Sequence, residues 1–196
     1  MKQAIIIILL MTCVNLSEAQ DNKVKNNQQD KPNLSGTWQI DKSKSKVTKD
    51  NPIMKGGMVF LTITHDETEV RIIQKTELNG QERVREFLYY TDGRGENNPT
   101  ANLYLSFYQG NENPNSPSPR RIESKSKWKD NKLKIKYSLI MRIPDGAQIK
   151  IGVEEEWAIS PDGKTLTQTT SLSSNNSSYI TFIEPSRLKR VFNKIP

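Results

Sequence analysis

The stretch that decides the fold of this chain is Ile122-Glu123-Ser124-Lys125-Ser126-Lys127-Trp128-Lys129-Asp130-Asn131-Lys132-Leu133-Lys134-Ile135-Lys136-Tyr137. On each side of the dipeptide Asp130-Asn131, charged side chains alternate with smaller or apolar ones. Strict alternation is typical of a half-buried β-strand, and a short polar break between two such runs is typical of a turn. The stretch therefore predicts two antiparallel strands with their lysines on the solvent side.

The same period of two continues from Ser35 to the end of the chain. Asn79-Gly80 is the strongest short hairpin signal, and Pro161-Asp162-Gly163 predicts a further turn. We expect about nine or ten short strands in an antiparallel meander. Because closing such a sheet removes its exposed edges, an up-and-down barrel is predicted, with a two-sheet Greek-key sandwich as the alternative.

The N-terminal segment has the features of a secretory leader. Met1-Lys2 is followed by an apolar run and then by Ser17-Glu18-Ala19, so cleavage is expected after Ala19. The run has about half the length needed to span a bilayer, and no transmembrane segment is expected. Residues 1–19 are thus predicted to be a signal peptide, 20–34 a disordered linker, and 35–196 one barrel domain that is secreted or periplasmic.

Cys13 leaves an alternative open for the leader. Leu10-Met11-Thr12-Cys13 is similar to a bacterial lipobox, which would make the chain a lipid-anchored protein of the cell envelope. Thr12 departs from the Gly, Ala or Ser that is usual before the lipidated cysteine. The chain has one Cys, so the mature domain is expected to have no disulfide.

The charge balance is basic, with a formal net charge of +7. A basic surface can attract nucleic acid, anionic lipid or polysaccharide. The lysines are dispersed along strands, however, and Lys132, Lys134 and Lys136 alternate with apolar residues. We interpret this pattern as a solvated strand face that gives solubility and edge protection, and expect a monomer with no nucleic-acid partner.

Three blocks of sequence resemble a bacterial lipocalin-like family of exported proteins, and the final strand is similar to that family's closing strand. The blocks are Leu34–Ser45, Ser126–Ile135 and Glu154–Thr167, the last containing Trp157 and Ser160-Pro161-Asp162-Gly163-Lys164-Thr165-Leu166, and the closing strand is Arg190–Lys194. The resemblance implies a lipocalin-like, calycin-type β-barrel of about 8–10 strands. The segment from Tyr90 to Pro119 matches nothing in that family.

Gly36 and Trp38 form the Gly-x-Trp start of such barrels. Gly36 permits a close approach of the backbone, and Trp38 supplies a large plug for one end of the barrel. The resemblance further implies that Arg190, or else Arg187, packs across the Trp38 ring. These three residues, Gly36, Trp38 and Arg190, are predicted to close the barrel and to have no catalytic role.

The predicted ligand site lies inside the barrel, on the face that carries the aromatic side chains. Its candidate residues are Trp128, Tyr137, Leu139, Val153, Glu155, Trp157, Ser124 and Ser126, with Thr170 on the same face. Polar groups inside a barrel require partners or water, and a wet cavity with aromatic walls suits a small ligand. The alternative is that Glu155 pairs with an interior arginine such as Arg83 or Arg85.

Catalysis has little support in the sequence. His65 is the only histidine and is predicted to be a solvated residue at a hairpin tip. Glu154 and Glu156 should point outward on either side of Glu155, which leaves one inward carboxylate where a glycosidase needs two. We expect no metal, no cofactor and no enzymatic activity.

The function predicted is non-covalent binding of a small hydrophobic or amphipathic molecule. The alternative is a structural or surface-interaction barrel with a filled interior.

Overall fold

Ten strands form one antiparallel sheet in this computed structural model, which describes residues 31–47, 51–99, 121–142, 148–174 and 187–196. The strands are β1 (Gly36–Ile40), β2 (Met58–Asp66), β3 (Glu69–Leu78), β4 (Gln81–Tyr90), β5 (Glu96–Pro99), β6 (Arg121–Lys129), β7 (Lys132–Arg142), β8 (Gln148–Ile159), β9 (Thr165–Ser174) and β10 (Arg187–Ile195). One short helix, α1 (Pro52–Lys55), precedes β2.

The sheet order is β4-β3-β2-β1-β10-β9-β8-β7-β6-β5. Strands that follow each other in the chain therefore lie side by side, and the pairing of β1 with β10 joins the two ends of the domain. This is the predicted up-and-down arrangement, rolled into a nearly closed barrel. The sandwich alternative is wrong, because one continuous sheet contains all ten strands.

The predicted turns are present where positive φ angles are needed. Asn79 and Gly80 have φ values of 51° and 73° and join β3 to β4 in a two-residue hairpin. That pair of positive angles is the type I′ geometry that the right-handed strand twist favours. Gly163 has φ of 69° in the turn before β9, where Asp162 Oδ1 accepts the Lys164 N–H at 3.1 Å.

The barrel closes between β4 and β5 through side chains. Asn98 Oδ1 accepts the backbone N–H of Leu88, and Asn98 Nδ2 donates to the carbonyl of Leu88, both at 2.7 Å. Glu96, two residues before Asn98 on β5, accepts the N–H of Tyr90 through Oε2 at 3.2 Å. The two edge strands are thus joined by β5 side chains in place of a backbone ladder. We call this line of contacts the seam.

The hydrophobic core fills the end of the barrel where β1 begins. Trp38 is fully buried, and its Nε1 donates to the carbonyl of Leu34 at 3.1 Å. Leu34 is itself fully buried and belongs to the same cluster as Leu133, Trp157 and Phe192. The predicted linker of 20–34 is therefore too long at its C-terminal side, because Leu34 is part of the core. Residues 1–30, which include the predicted leader, lie outside the described residues.

Two further element predictions need correction, and two others cannot be compared. Strand β5 was not predicted, and His65 lies within β2 instead of at the hairpin tip, which consists of Glu67 and Thr68. The sequence pattern also predicts short strands near Leu103–Phe107 and Tyr179–Ile183, and both fall outside the described residues.

Candidate functional site

Glu155 is the centre of a buried polar cluster on the inward face of β8. Its side chain has 0% exposure. Oε1 accepts the Tyr137 hydroxyl at 2.9 Å, while Oε2 accepts Trp157 Nε1 at 3.1 Å and Gln168 Nε2 at 2.7 Å. These donors come from β7, β8 and β9, whose register sets them next to one another. Three donors compensate the cost of removing a carboxylate from water.

Arg190 is the cationic partner of this cluster. It is buried on the inward face of β10, where burial lowers the pKa of its guanidinium and the charge of Glu155 acts in the opposite direction. Burial also raises the pKa of Tyr137 and of Tyr89 well above the ordinary value, with Glu155 adding to the shift. Both phenols are therefore neutral at physiological pH. We call Tyr137, Glu155, Gln168 and Arg190 the polar belt.

The polar belt corrects one prediction about Glu155. The sequence suggested Arg83 or Arg85 as its interior partner, but Arg83 is exposed and Arg85 is half-exposed on β4. Arg190, which was assigned to barrel closure, is the arginine whose charge acts on Glu155.

Beyond the polar belt, away from Trp38, five aliphatic side chains line the inner surface of β7–β10. These residues, the apolar wall, are Leu139, Ile151, Val153, Leu172 and Leu188. Leu139 is opposite Ile151 and Val153 is opposite Leu172 in the strand register, so the wall is continuous. All five are buried, yet none belongs to the hydrophobic cluster that fills the Trp38 end. The interior is therefore divided by the polar belt into a packed half and a second apolar half.

A second inward carboxylate, which the sequence analysis missed, lies at the seam. Glu96 is buried, and its Oε1 accepts the hydroxyls of Ser124 and Ser126 at 2.7 and 2.8 Å. Both serines are thus on the inward face as predicted, but their hydroxyls hold Glu96 in place. Each buried carboxylate, Glu96 and Glu155, is engaged by three protein donors. This arrangement ties each carboxylate to its neighbouring strands.

Barrel closure at the Trp38 end uses a different cation from the expected one. Lys194 Nζ lies 5.4 Å from the centroid of the Trp38 ring, and Lys194 is the direct register partner of Trp38. Arg190 is four residues earlier on β10, about 13 Å along an extended strand. A Cβ at Gly36, whose φ is 143°, would come within 2.7 Å of Lys194 Cε. The close approach at Gly36 is therefore made by the Lys194 side chain, and not by a backbone segment as predicted.

His65 and Trp128 form an aromatic pair at the same end. Their ring centroids are 5.5 Å apart, and His65 Nδ1 accepts the N–H of Leu34 at 3.4 Å. Nε2 of His65 and Nε1 of Trp128 are buried and have no hydrogen-bond partner in the part of the chain that the structure describes. The prediction of a solvated His65 is wrong. Trp128, predicted to line the ligand site, packs against the filled half instead.

The remaining candidate residues divide between the two halves of the interior. Tyr137, Val153, Glu155 and Leu139 lie at the polar belt or the apolar wall. Trp157 packs in the filled half and touches the belt through its indole N–H. Within the described residues, no group of three or more metal-ligating side chains is found. Among the same residues, no helix is long and apolar enough to cross a membrane.

Comparisons with known proteins give a likeness of fold at low identity. No family model matches the chain, and no curated protein matches it. Solved structures with a similar fold include a mutant of the REP1-NXSQ fatty acid transporter, at 13% identity and a TM-score of 0.44 over 83% of this chain and 98% of that one.

Two others are a Schistosoma mansoni fatty acid binding protein in complex with arachidonic acid and the apo form of Caenorhabditis elegans lipid binding protein 8. Their identities are both 11%, their TM-scores 0.42 and 0.45, and they cover 83% of this chain and 96% and 95% of their own. At these values the likeness carries no inference about ligand or activity.

Proposed function

We propose that this barrel binds a small amphipathic molecule non-covalently, between the polar belt and the apolar wall. The observation that carries the proposal is the division of the interior described above. Five inward aliphatic side chains are buried without joining the core cluster, and they lie next to a cluster of oriented polar side chains. Ligand sites characteristically combine an apolar lining with a few fixed polar groups.

The contributions of the two regions to binding differ. The apolar wall supplies affinity at about 25 cal/mol per Å² of apolar surface buried, less the cost of association. The polar belt supplies orientation, because Tyr137 and Gln168 are held in fixed positions by Glu155. Binding is favoured over catalysis, since both buried carboxylates already accept protein donors.

The test is a titration of the purified full chain with dansyl-undecanoate, whose emission rises when its dansyl group leaves water. Leu139→Trp puts a much larger side chain on the apolar wall, where the ligand is proposed to lie. Ile140→Trp is the matched control, because Ile140 is the next residue on β7 and is 55% exposed. We expect the first change to weaken binding tenfold or more, about 1.4 kcal/mol, and the second to leave it unchanged.

A second blocking variant, Leu172→Phe, makes a smaller enlargement from β9, on the other side of β8. Circular dichroism establishes that each variant keeps the fold. If the unaltered chain shows no saturable binding, or if Ile140→Trp weakens it as much as Leu139→Trp, the proposal is wrong. A filled-interior module then becomes the better account. Native mass spectrometry of protein from its own cells would identify a co-purifying ligand.

We also propose that the chain is an exported member of the lipocalin-like family. Support comes from the leader pattern in residues 1–19 and from the Gly36 and Trp38 start. The measured mass of the mature N-terminus decides between cleavage after Ala19 and lipidation of Cys13. An uncleaved N-terminus would contradict both.

A further inference from the structure

The outer face of β6 and β7 carries lysines in direct cross-strand pairs. The register sets Lys125 opposite Lys136, Lys127 opposite Lys134, and Lys129 opposite Lys132. Like charges directly opposite each other on one face of a sheet are destabilising. Three such pairs in succession, which we call the lysine ladder, are more than solubility or edge protection requires.

The two strands of the lysine ladder differ in how their charges are compensated. On β7, Lys134 Nζ is 2.6 Å from a Glu156 oxygen and Lys136 Nζ is 2.8 Å from a Glu154 oxygen. Lys132 also reaches Glu156, at 3.3 Å. The β6 lysines, by contrast, have no ion pair within the described ranges. The positive charge of the β6 lysines is therefore not compensated by an acidic side chain of the described residues.

The β6 lysines are exposed along their whole row. Their neighbours in sequence include two exposed acids, Glu123 at one end and Asp130 at the other. Alternate residues of a strand are separated by about 6.6–6.8 Å, so Lys125, Lys127 and Lys129 place three ammonium groups in a row about 13 Å long. A row of that length matches a linear ligand with regularly repeated negative charges.

A groove runs beside the lysine ladder across β7, β8 and β9. Its volume is about 750 Å³, and its lining includes Lys125, Lys127, Lys136, Glu154, Ser171 and Ser173. Gly152 lies in the lining between the lysines and the serines. A Cβ there would come within 2.6 Å of Ser173 Oγ, so the absence of a side chain keeps the groove open. The groove thus has ammonium groups on one side and hydroxyls on the other.

We propose that this outer groove binds a linear acidic polysaccharide, one that carries carboxylate or sulfate groups on successive sugars. The β6 lysines pair with the acid groups, and Ser171 and Ser173 exchange hydrogen bonds with sugar hydroxyls. A membrane surface is a poorer fit, because a flat surface does not follow a concave groove. Single-stranded nucleic acid is also a poorer fit, because the described outward residues of β6–β9 include no aromatic side chain for base stacking.

The experiment measures anisotropy of a fluorescein-labelled heparin hexasaccharide, and of a galacturonate hexamer, with the full chain at low salt. The triple variant Lys125→Gln, Lys127→Gln, Lys129→Gln removes the uncompensated row. Its control, Lys46→Gln, Lys164→Gln, Lys189→Gln, removes the same charge from exposed positions elsewhere. We expect the first variant to lose at least tenfold in affinity, about 1.4 kcal/mol, and the control to lose less than about twofold.

A variant that changes no charge distinguishes binding in the groove from general electrostatic attraction to the basic surface. Ser173→Leu obstructs the groove on β9, and Thr167→Leu makes a similar change at an outward position nearer the start of the same strand. We expect the first to weaken hexasaccharide binding and the second to leave it unaltered. The β6 lysine variant should fold normally, because it removes like-charge repulsion, and circular dichroism checks the fold of both triple variants.

Equal losses in the two triple variants would overturn the proposal, since net charge alone would then account for binding. So would an absence of binding to both hexasaccharides. Phosphatidylglycerol vesicles and a 20-nucleotide single-stranded DNA are the two rival probes. If either binds more tightly than the sugars and depends on the β6 lysines, the groove serves that ligand and the polysaccharide assignment is wrong.

Discussion

The carboxamide of Asn98 satisfies both backbone hydrogen-bonding groups of Leu88, with an acceptor and a donor contact of 2.7 Å each. The side chain of Asn98 on β5 thus forms with β4 the hydrogen bonds that the backbone of a neighbouring strand forms elsewhere in the sheet. Because buried backbone groups are nearly always paired, Asn98 is the residue that lets β4 end the sheet at the seam without exposing its edge.

Replacing Asn98 with Ala should destabilise the barrel. The change leaves the N–H and C=O of Leu88 unpaired, at a cost of about 1–3 kcal/mol. Urea unfolding measures the loss, and hydrogen exchange should show faster exchange at Leu88. Asn97→Ala, on the outward face of the same strand, is the comparison and should cost less. Equal losses from the two changes would contradict a special role for the carboxamide.

Glu155 and Arg190 should be coupled in stability. Glu155→Gln removes the buried negative charge that acts on Arg190, and leaving a buried charge uncompensated costs about 3–5 kcal/mol. The double variant Glu155→Gln with Arg190→Gln should lose less than the sum of the two single changes, because neither charge is then left alone. Strict additivity in urea unfolding would show that the two side chains are independent.

His65 should make stability depend on pH. Burial lowers its pKa below 6.5, Lys31 lowers it further, and Asp66 acts in the opposite direction. Between the lowered pKa and 6.5 the unfolded chain binds more protons than the native chain, so stability falls as the pH decreases through that window. Above 6.5 the effect is absent, and below the native pKa the loss is complete.

The control for this prediction is His65→Gln. His65 is the only histidine, and the carboxylates that titrate at lower pH are common to both proteins. Unfolding midpoints are compared from about pH 7.5 to about pH 5, which spans the ordinary histidine pKa. Parallel pH profiles for the two proteins would show that His65 titrates alike in the native and unfolded states.

The two halves of the lysine ladder should respond to mutation with opposite signs. Lys127→Gln removes repulsion against Lys134 and should raise the unfolding temperature. Lys134→Gln removes the one lysine that pairs with both Glu154 and Glu156 among the described residues, and should lower the unfolding temperature. Both shifts should shrink in about 1 M salt, where the screening length is about 3 Å. A shift of the same sign in both variants would be inconsistent with this charge arrangement.

The strand pattern could be predicted because alternation is a local property. Ser124, Ser126 and Glu155 each lie on the predicted inward face, as the period of two requires. Strand β5 could not be predicted, because its four residues have the composition of a loop. They are Glu96, Asn97, Asn98 and Pro99. Its polar residues are explained by the seam, which depends on how the two ends of the sheet meet in space.

The partners of interior charges were also beyond prediction. Arg190 and Glu155 lie on strands that are not neighbours, and no local pattern records which inward side chains meet across a barrel. Lys194 lies over Trp38 in place of the predicted Arg190 for a similar reason. The register of β1 with β10, which sets Lys194 opposite Trp38, cannot be inferred from a local pattern. His65 was misplaced because β2 continues two residues further than its turn signal suggested.

The sheet order also has a consequence for how the chain reaches its native state. Most strand pairings join hairpin neighbours, so they can form from local contacts while the rest of the chain is unstructured. The pairing of Trp38 with Lys194 requires both ends of the domain to be present. On a ribosome, β1 must therefore wait for β10, which is synthesised after the other nine described strands. The loop between β1 and β10 is long, but closing it costs only slightly more conformational entropy than closing a shorter loop, because the cost grows logarithmically with loop length.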